Sequence, residues 1–229
     1  MKNYDIFLFD ADNTLYDFDR AVANALEVLF STHRFSYSPN IPGRFIDIGM
    51  ALWERYESGD MTDIELQHTR FSQLFQECGI THCPVEFTEQ YHYELGKCAF
   101  LIDGAEEICK TLTNAGKQIY IITNGFLATY QARVKHSAIE KYVTECFVSE
   151  IIGYKKPRKE FFDYVLSHLA QVDKSNMLIV GDSLGADIAG GNAMGIDTCW
   201  FNLHNVANKT EILPTYEIQK LSELAKGLD

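Results

Sequence analysis

Two aspartates, Asp10 and Asp12, stand two residues apart directly after the apolar run Tyr4 to Phe9, in Phe7-Leu-Phe-Asp10-Ala-Asp12-Asn-Thr14-Leu-Tyr16. That run is short and aromatic-rich, with turn residues behind it, which predicts a buried strand. Asp10 would then sit at the strand's carboxyl end, where open α/β sheets place their ligands. Two carboxylates at the mouth of a sheet repel each other, and burial raises their pKa values. A divalent cation removes that conflict. Asp-Asn-Thr is also good Asx-turn chemistry, so a strand followed by a solvated turn is the alternative for this segment taken alone.

Three segments downstream have the same form. In Ile121-Ile122-Thr123-Asn124-Gly125 an apolar strand ends in a hydroxyl, an amide and the backbone N–H groups of a helix start, which is either an anion cradle or an ordinary N-cap. In Gly153-Tyr-Lys155-Lys156-Pro157-Arg158 a helix is expected to begin with Pro157 at its first position. Lysines there oppose the macrodipole, which fits either a functional role or a solvated loop. Between Met177 and Gly191 a strand ends in Gly181-Asp182, and Asp187 opens a glycine-rich helix. Gly190, Gly191 and Gly195 disfavour a helix, so close backbone packing is expected around them. Each segment alone is weak, but four in a fixed order, each at the end of an apolar strand, form a constellation.

The elements that must hold these residues are legible as periodicity. Strand-like runs recur at Asp5–Phe9, Gln118–Thr123, Cys146–Ser149, Met177–Gly181 and Thr198–Phe201, with a weaker one at Tyr216–Ile218. From Leu101 onward they alternate with helical patterns near Ala105–Ala115, Phe126–Ile139, Lys159–Ala170 and Ala186–Met194. Such alternation predicts an α/β fold with a doubly wound parallel sheet.

Residues 17–100 contain no strand pattern. Val22, Ala25, Leu26, Leu29 and Phe30 share one helical face; so do Phe45, Ile48, Leu52, Trp53 and Tyr56, and then Ile64, Phe71, Leu74 and Phe75. Gly43 and Gly59 punctuate the second helix, and Thr62 with Glu65 has capping-box spacing for the third. An inserted all-helical bundle of about four helices is expected. It leaves the chain just after the paired acids and returns before the next strand, so a lid over the strand ends is anticipated. The division is a core of 1–16 and 101–229 and a helical cap of 17–100.

Composition bounds the partners. The 229 residues carry a net charge of −12 and no basic stripe, which argues against a nucleic acid polymer. No apolar run reaches ~18 residues, so no membrane span is expected, and the first ten residues lack a signal peptide's features. Cys78, Cys83, Cys98, Cys109, Cys146 and Cys199 have no metal-cluster spacing, and a chain of this size needs no disulfide framework. Cys109, Cys146 and Cys199 are expected as core residues, and the compartment as cytoplasmic. An anionic substrate must be drawn in by local charge: a metal, a lysine, helix N-termini.

The ordered motifs DxDxTL, TNG, KKP and GDSxxxD resemble the four-motif signature of the haloacid dehalogenase-like (HAD) hydrolase superfamily, over essentially the whole chain. The resemblance implies a Rossmann-like core with an α-helical C1 cap and a bound Mg²⁺. It makes Asp10 the nucleophile and a metal ligand, and Asp12 the general acid and then base, with its main-chain carbonyl on the metal. Thr123 and Lys156 would bind phosphoryl oxygens alongside Asn124 and Gly125. Asp182 would complete the metal site, and Asp187 would support it or orient Lys156. Haloacid dehalogenases lack an acid at the position of Asp12 and use no Mg²⁺, so Asp12 selects a phosphatase.

Trp53-Glu-Arg55-Tyr56-Glu57-Ser-Gly59, followed by Glu65-Leu66 and Arg70-Phe71, resembles the cap of the pyrimidine 5′-nucleotidase branch. This implies a small phosphate monoester, a nucleoside 5′-monophosphate, as substrate. Trp53 and Tyr56 could stack on a base or pack the bundle, and Arg44, Arg55 and Arg70 could form cap–core salt bridges. None of the seven histidines has ligand-like spacing. The alternatives are a sugar- or glycolate-phosphate phosphatase, a phosphomutase of the same fold, or a catalytically silent binding module. Neither a monomer nor a dimer is preferred.

Overall fold

The structure, a computed structural model, describes residues 1–82, 84, 86–169 and 173–228. Cys83 and Ala170, the expected end of one helix, lie outside the described residues. Among the described residues, six parallel strands form one sheet in the order β3-β2-β1-β4-β5-β6. They are β1 (Ile6–Phe9), β2 (Gln118–Thr123), β3 (Glu145–Val148), β4 (Met177–Gly181), β5 (Asp197–Phe201) and β6 (Tyr216–Ile218). Every residue of β1 and β4 is buried, as strands covered on both faces require.

The register aligns the strand ends. Phe9 lies opposite both Ile121 and Val180, Thr123 opposite Val148, and Gly181 opposite Trp200. Asp10, Asn124 and Asp182 are therefore the first residues past three adjacent strands. The strand order reverses between β1 and β4, the switch point at which open α/β sheets bind ligands.

Chain contacts divide the molecule into two units. The sheet unit comprises Met1–Asp17, Leu101–Leu127 and Ser137–Asp229; the helical unit comprises Phe18–Phe100 with Ala128–His136. The helices, in chain order, are α1 (Phe18–Thr32), α2 (Ile41–Ser58), α3 (Asp63–Glu77), α4 (Phe87–Lys97), α5 (Ala105–Asn114), α6 (Leu127–Val134), α7 (Ser149–Ile152), α8 (Lys159–His168) and α9 (Ala189–Met194).

In the sheet unit, Phe161, Phe162 and Val165 of α8 pack with Ile6, Leu8, Ile122 and Ile179. A Cβ on Gly190 would lie 2.4 Å from the Phe162 ring, and one on Gly191 2.4 Å from Thr198 Cγ2, so the close packing expected of these glycines is present. Gly195 differs: it ends α9 in the left-handed conformation, with φ of 68°, and sits outside the helix. Pro157 also differs from expectation. Helix α8 begins at Lys159 with Arg158 as its N-cap, which puts Pro157 before the cap.

In the helical unit, α1 to α4 bury an aromatic cluster. The ring centroids of Phe75 and Phe87 are 4.9 Å apart, and those of Phe45 and Phe71 and of Phe71 and Tyr91 are each 5.1 Å apart. Such pairs each add about 0.5–1.5 kcal/mol beyond area burial. The capping box forms: Thr62 Oγ1 accepts from the Glu65 N–H while the Thr62 N–H donates to Glu65 Oε2 at 2.9 Å. Ile64, expected on the apolar face, is 75% exposed, because Leu66 and Arg70 carry the buried stripe in the first half of α3.

Helix α6, expected over Phe126–Ile139 as part of the core, stops at Val134, and its length from Ala128 belongs to the helical unit. The close fit there is explicit: a Cβ on Gly96 would lie 2.4 Å from Ala132 Cβ. Arg44 pairs with Glu77 and Asp47, all within the helical unit, in place of the cap–core bridge expected of it.

His92 is buried in the helical unit, its ring nitrogens 3.0 Å from Thr129 Oγ1 and 2.9 Å from Gln67 Oε1. Burial, then the Arg70 guanidinium, pushes its pKa down to about 4. The unfolded imidazole takes a proton near pH 6.5 and the folded one refuses it until about pH 4, so this residue's contribution is present above pH 6.5 and lost on acidification. Between pH 7.5 and pH 5 the wild type should lose up to about 2 kcal/mol more than His92→Gln, read from urea midpoints. Parallel pH profiles for the two proteins would refute this.

Candidate active site

The turn after β1 carries both acids. Asn13 adopts the left-handed conformation with φ of 58°, and its N–H donates to the Tyr16 carbonyl at 2.7 Å. A backbone-bonded turn and the paired acids thus coexist. Asp10 is 8% exposed, while Asp12 is half-buried, with Oδ2 3.6 Å from the point where a Cβ on Gly125 would lie.

Lys156 reaches the same place from the loop between α7 and α8. It is 1% exposed, and its Nζ donates to Asp10 Oδ1 at 2.6 Å, to Asp187 Oδ1 at 2.7 Å and to the Ile122 carbonyl at 2.8 Å. These three acceptors match the three donors of an ammonium. Burial alone would push the Lys156 ammonium down, but the Asp10 and Asp187 carboxylates outweigh it and hold its pKa above the ordinary lysine range.

Asp10, Asp182 and Asp187 each offer a carboxylate oxygen within 4.8 Å of the others. Burial raises the Asp10 pKa to about 7; Lys156 opposes that rise and Asp187 adds to it. Burial followed by the charges of Asp10 and Asp187 also raises Asp182 well above the usual carboxylate range. Three clustered carboxylates against one ammonium leave excess negative charge, and an all-oxygen donor set of this kind fits a hard divalent cation.

Asp187 is held by a turn of π-helix over Leu184–Ile188 that precedes α9, a geometry common at functional sites. Its Oδ2 accepts from the Ser183 N–H at 3.2 Å. A Cβ on Gly181 would lie 2.1 Å from that same oxygen, so only glycine admits the carboxylate here. The glycine before Asp182 was the one sequence signal of this approach.

The Thr123-Asn124-Gly125 segment makes three hydrogen bonds within the sheet unit. The Gly125 N–H donates to Thr123 Oγ1 at 2.9 Å, which leaves the Thr123 hydroxyl proton as a donor. The Asn124 side chain turns to the backbone of Lys156, with hydrogen bonds of 2.8 and 2.9 Å. These contacts tie Gly125 to Thr123 and Asn124 to the main chain of Lys156. Sequence reasoning also missed Trp200 on β5, whose indole N–H donates to the Asp182 carbonyl at 2.8 Å; no local pattern marks a contact made across strands.

A family model for haloacid dehalogenase-like hydrolases matches residues 4–195, which hold all the residues just described except Trp200. The chain belongs to that family. YfnB of Bacillus subtilis (strain 168), named as a HAD-hydrolase, is 40% identical over 224 residues, covering 98% of this chain and 95% of that protein. A crystal structure of YfnB bound to magnesium superposes with a TM-score of 0.92 at 39% identity, over 100% of both chains. The pyrimidine 5′-nucleotidase PynA of Streptococcus pneumoniae is 33% identical, covering 99% of this chain and 95% of that protein. The pyrimidine 5′-nucleotidase YjjG of Escherichia coli K12 is 31% identical, covering 98% of both.

In this HAD-like hydrolase the bundle aromatics Trp53 and Tyr56 meet edge to face, with centroids 5.1 Å apart; Tyr56 is buried and Trp53 half-buried. Cys109 and Cys199 are buried free thiols, Cys146 is half-buried, and no disulfide occurs among the described residues. No helix among the described residues is long and apolar enough to cross a membrane.

Proposed function

We propose that the chain is a Mg²⁺-dependent phosphoric monoester hydrolase of the cytoplasm, acting on nucleoside 5′-monophosphates of the pyrimidine class. The observation that carries this reading is the environment of Asp10: a buried carboxylate held at one oxygen by Lys156, beside two further carboxylates able to share a cation. That is a carboxylate oxygen held in place by an ammonium, as an aimed nucleophile requires. The nucleotide preference is supported by PynA and YjjG, named as pyrimidine 5′-nucleotidases, which match this chain over nearly its whole length.

Asp10, Asp182 and Asp187 would hold the metal, with the Asp12 main-chain carbonyl as a further ligand. Bound there, Mg²⁺ supplies charge to the carboxylates and phosphoryl oxygens and helps to align them. In the first step an Asp10 oxygen forms a bond to phosphorus as the ester oxygen departs, taking a proton from the carboxyl group of Asp12. In the second, Asp12 takes a proton from the water that attacks phosphorus, which frees Asp10 and inorganic phosphate. Lys156 and the Thr123 hydroxyl face the negative charge that a loose phosphoryl-transfer transition state spreads over its oxygens.

The test is phosphate release over a panel of esters with and without Mg²⁺. Turnover of dUMP, UMP and dTMP should exceed that of sugar phosphates and glycolate phosphate by at least tenfold in kcat/KM, and EDTA should abolish it. A clear sugar-phosphate preference would overturn the nucleotide part. No hydrolysis of any ester, p-nitrophenyl phosphate included, at any metal concentration would overturn the phosphatase reading.

A further inference from the structure

Lys156 lies on a segment, residues 153–158, that belongs to no helix or strand. Such a segment has no ladder to satisfy its buried backbone groups, which must find partners elsewhere. At Lys156 both partners come from one side chain. The Lys156 N–H donates to Asn124 Oδ1 at 2.8 Å, and Asn124 Nδ2 donates to the Lys156 carbonyl at 2.9 Å. Asn124 is 6% exposed, so water does not compete for these bonds. A single amide thereby engages the main chain of Lys156 in both directions, as a neighbouring strand would.

We propose that Asn124 is the positioning residue that sets Lys156 in the active site, an inference that rests on the phosphatase reading above. The lysine ammonium rides on a flexible four-carbon stem, so its place depends on where its Cα is held. Two ties fix it to the end of β2: the Asn124 amide grips its backbone, and the Ile122 carbonyl receives its Nζ. Between those ties the ammonium lands on Asp10 and Asp187. Only an amide provides donor and acceptor together; an ionised Asp accepts and cannot donate, and Ala does neither. A catalytic cation misplaced by about 1 Å can lose up to about 10²-fold in rate.

The experiment is a double-mutant cycle with Lys156→Met, read as kcat on p-nitrophenyl phosphate. Asn124→Ala should lower kcat about 10- to 100-fold in the wild-type background, with KM moving far less. In the Lys156→Met background the same substitution should change kcat less than about twofold, because the group it positions is gone. An equal loss in both backgrounds would mean that Asn124 supports the fold in general and would overturn the proposal. Where Asn124→Ala does not fold, Asn124→Asp, which keeps the acceptor and loses the donor, carries the same pair of expectations. A wild type that hydrolyses nothing removes the phosphatase reading and this inference with it, whereas an active wild type with equal losses removes the inference alone.

Discussion

Asp10→Asn is expected to abolish phosphate release, with kcat falling about 10⁴-fold or more, while the protein stays at least as stable as the wild type at pH 7.5 in EDTA. The first half follows from the loss of the attacking oxygen: an amide of the same shape cannot form the covalent phosphoryl ester. The second half follows from the electrostatics. The carboxyl pKa of Asp10 is raised from 3.8 to about 7, chiefly by burial. Between those values the folded protein binds a proton that the unfolded chain has released, so this residue's contribution to stability falls as pH rises from about 4 to 7. Asn removes that penalty and still offers an oxygen to Lys156 Nζ, which keeps Asp187 and the Ile122 carbonyl as partners. Lost activity without lost stability separates a group kept for chemistry from one kept for the fold. Retained turnover in Asp10→Asn would overturn the nucleophile assignment; a large drop in urea midpoint would overturn the electrostatic argument.

The strand ends were legible in the sequence because each couples a buried apolar run to a polar residue, and both halves of that signal are local. Asp10, Thr123 and Asp182 accordingly stand where the periodicity puts them, at the ends of β1, β2 and β4. The helical region was legible for the same reason, through the stripes ending in Phe30, Tyr56 and Phe75. What was not legible is contact made at long range. Nothing near Asn124 announces that its amide turns 32 residues onward to Lys156. Nor does anything in β5 announce that the Trp200 indole reaches the Asp182 carbonyl. Periodicity likewise names a face without saying where the covering neighbour stops, so Ile64 fits the pattern and stands exposed. Helix α6 reads as another sheet-covering helix until Gly96 and His92 meet it within the helical unit.

Lys156→Met is expected to damage both properties that Asp10→Asn separates. Methionine fills a similar volume, so the change isolates the charge. In the wild type the ammonium lies between Asp10 and Asp187, with both contacts under 2.8 Å and side chains no more than 11% exposed. Removing one partner of a buried ionic cluster typically destabilises by about 3–5 kcal/mol, because the remaining charges are left uncompensated. Here the remaining charges are also alike. Without the ammonium, the Asp10 carboxyl loses its largest opposing influence and its pKa rises further above the unfolded value. The folded variant then holds protons that the unfolded chain releases above about pH 4, so its deficit relative to the wild type should widen from pH 5 to pH 8. Urea midpoints in EDTA at those two pH values measure this. Activity should fall by about 10³-fold in kcat/KM, the scale expected when a fixed charge facing the transition state is removed. A variant equal to wild type in stability at pH 8 would show that the cluster is neutralised by something other than Lys156. A variant of normal stability and normal turnover would remove the ammonium from the chemistry of the site, since its contacts with Asp10 and Asp187 are what place it there.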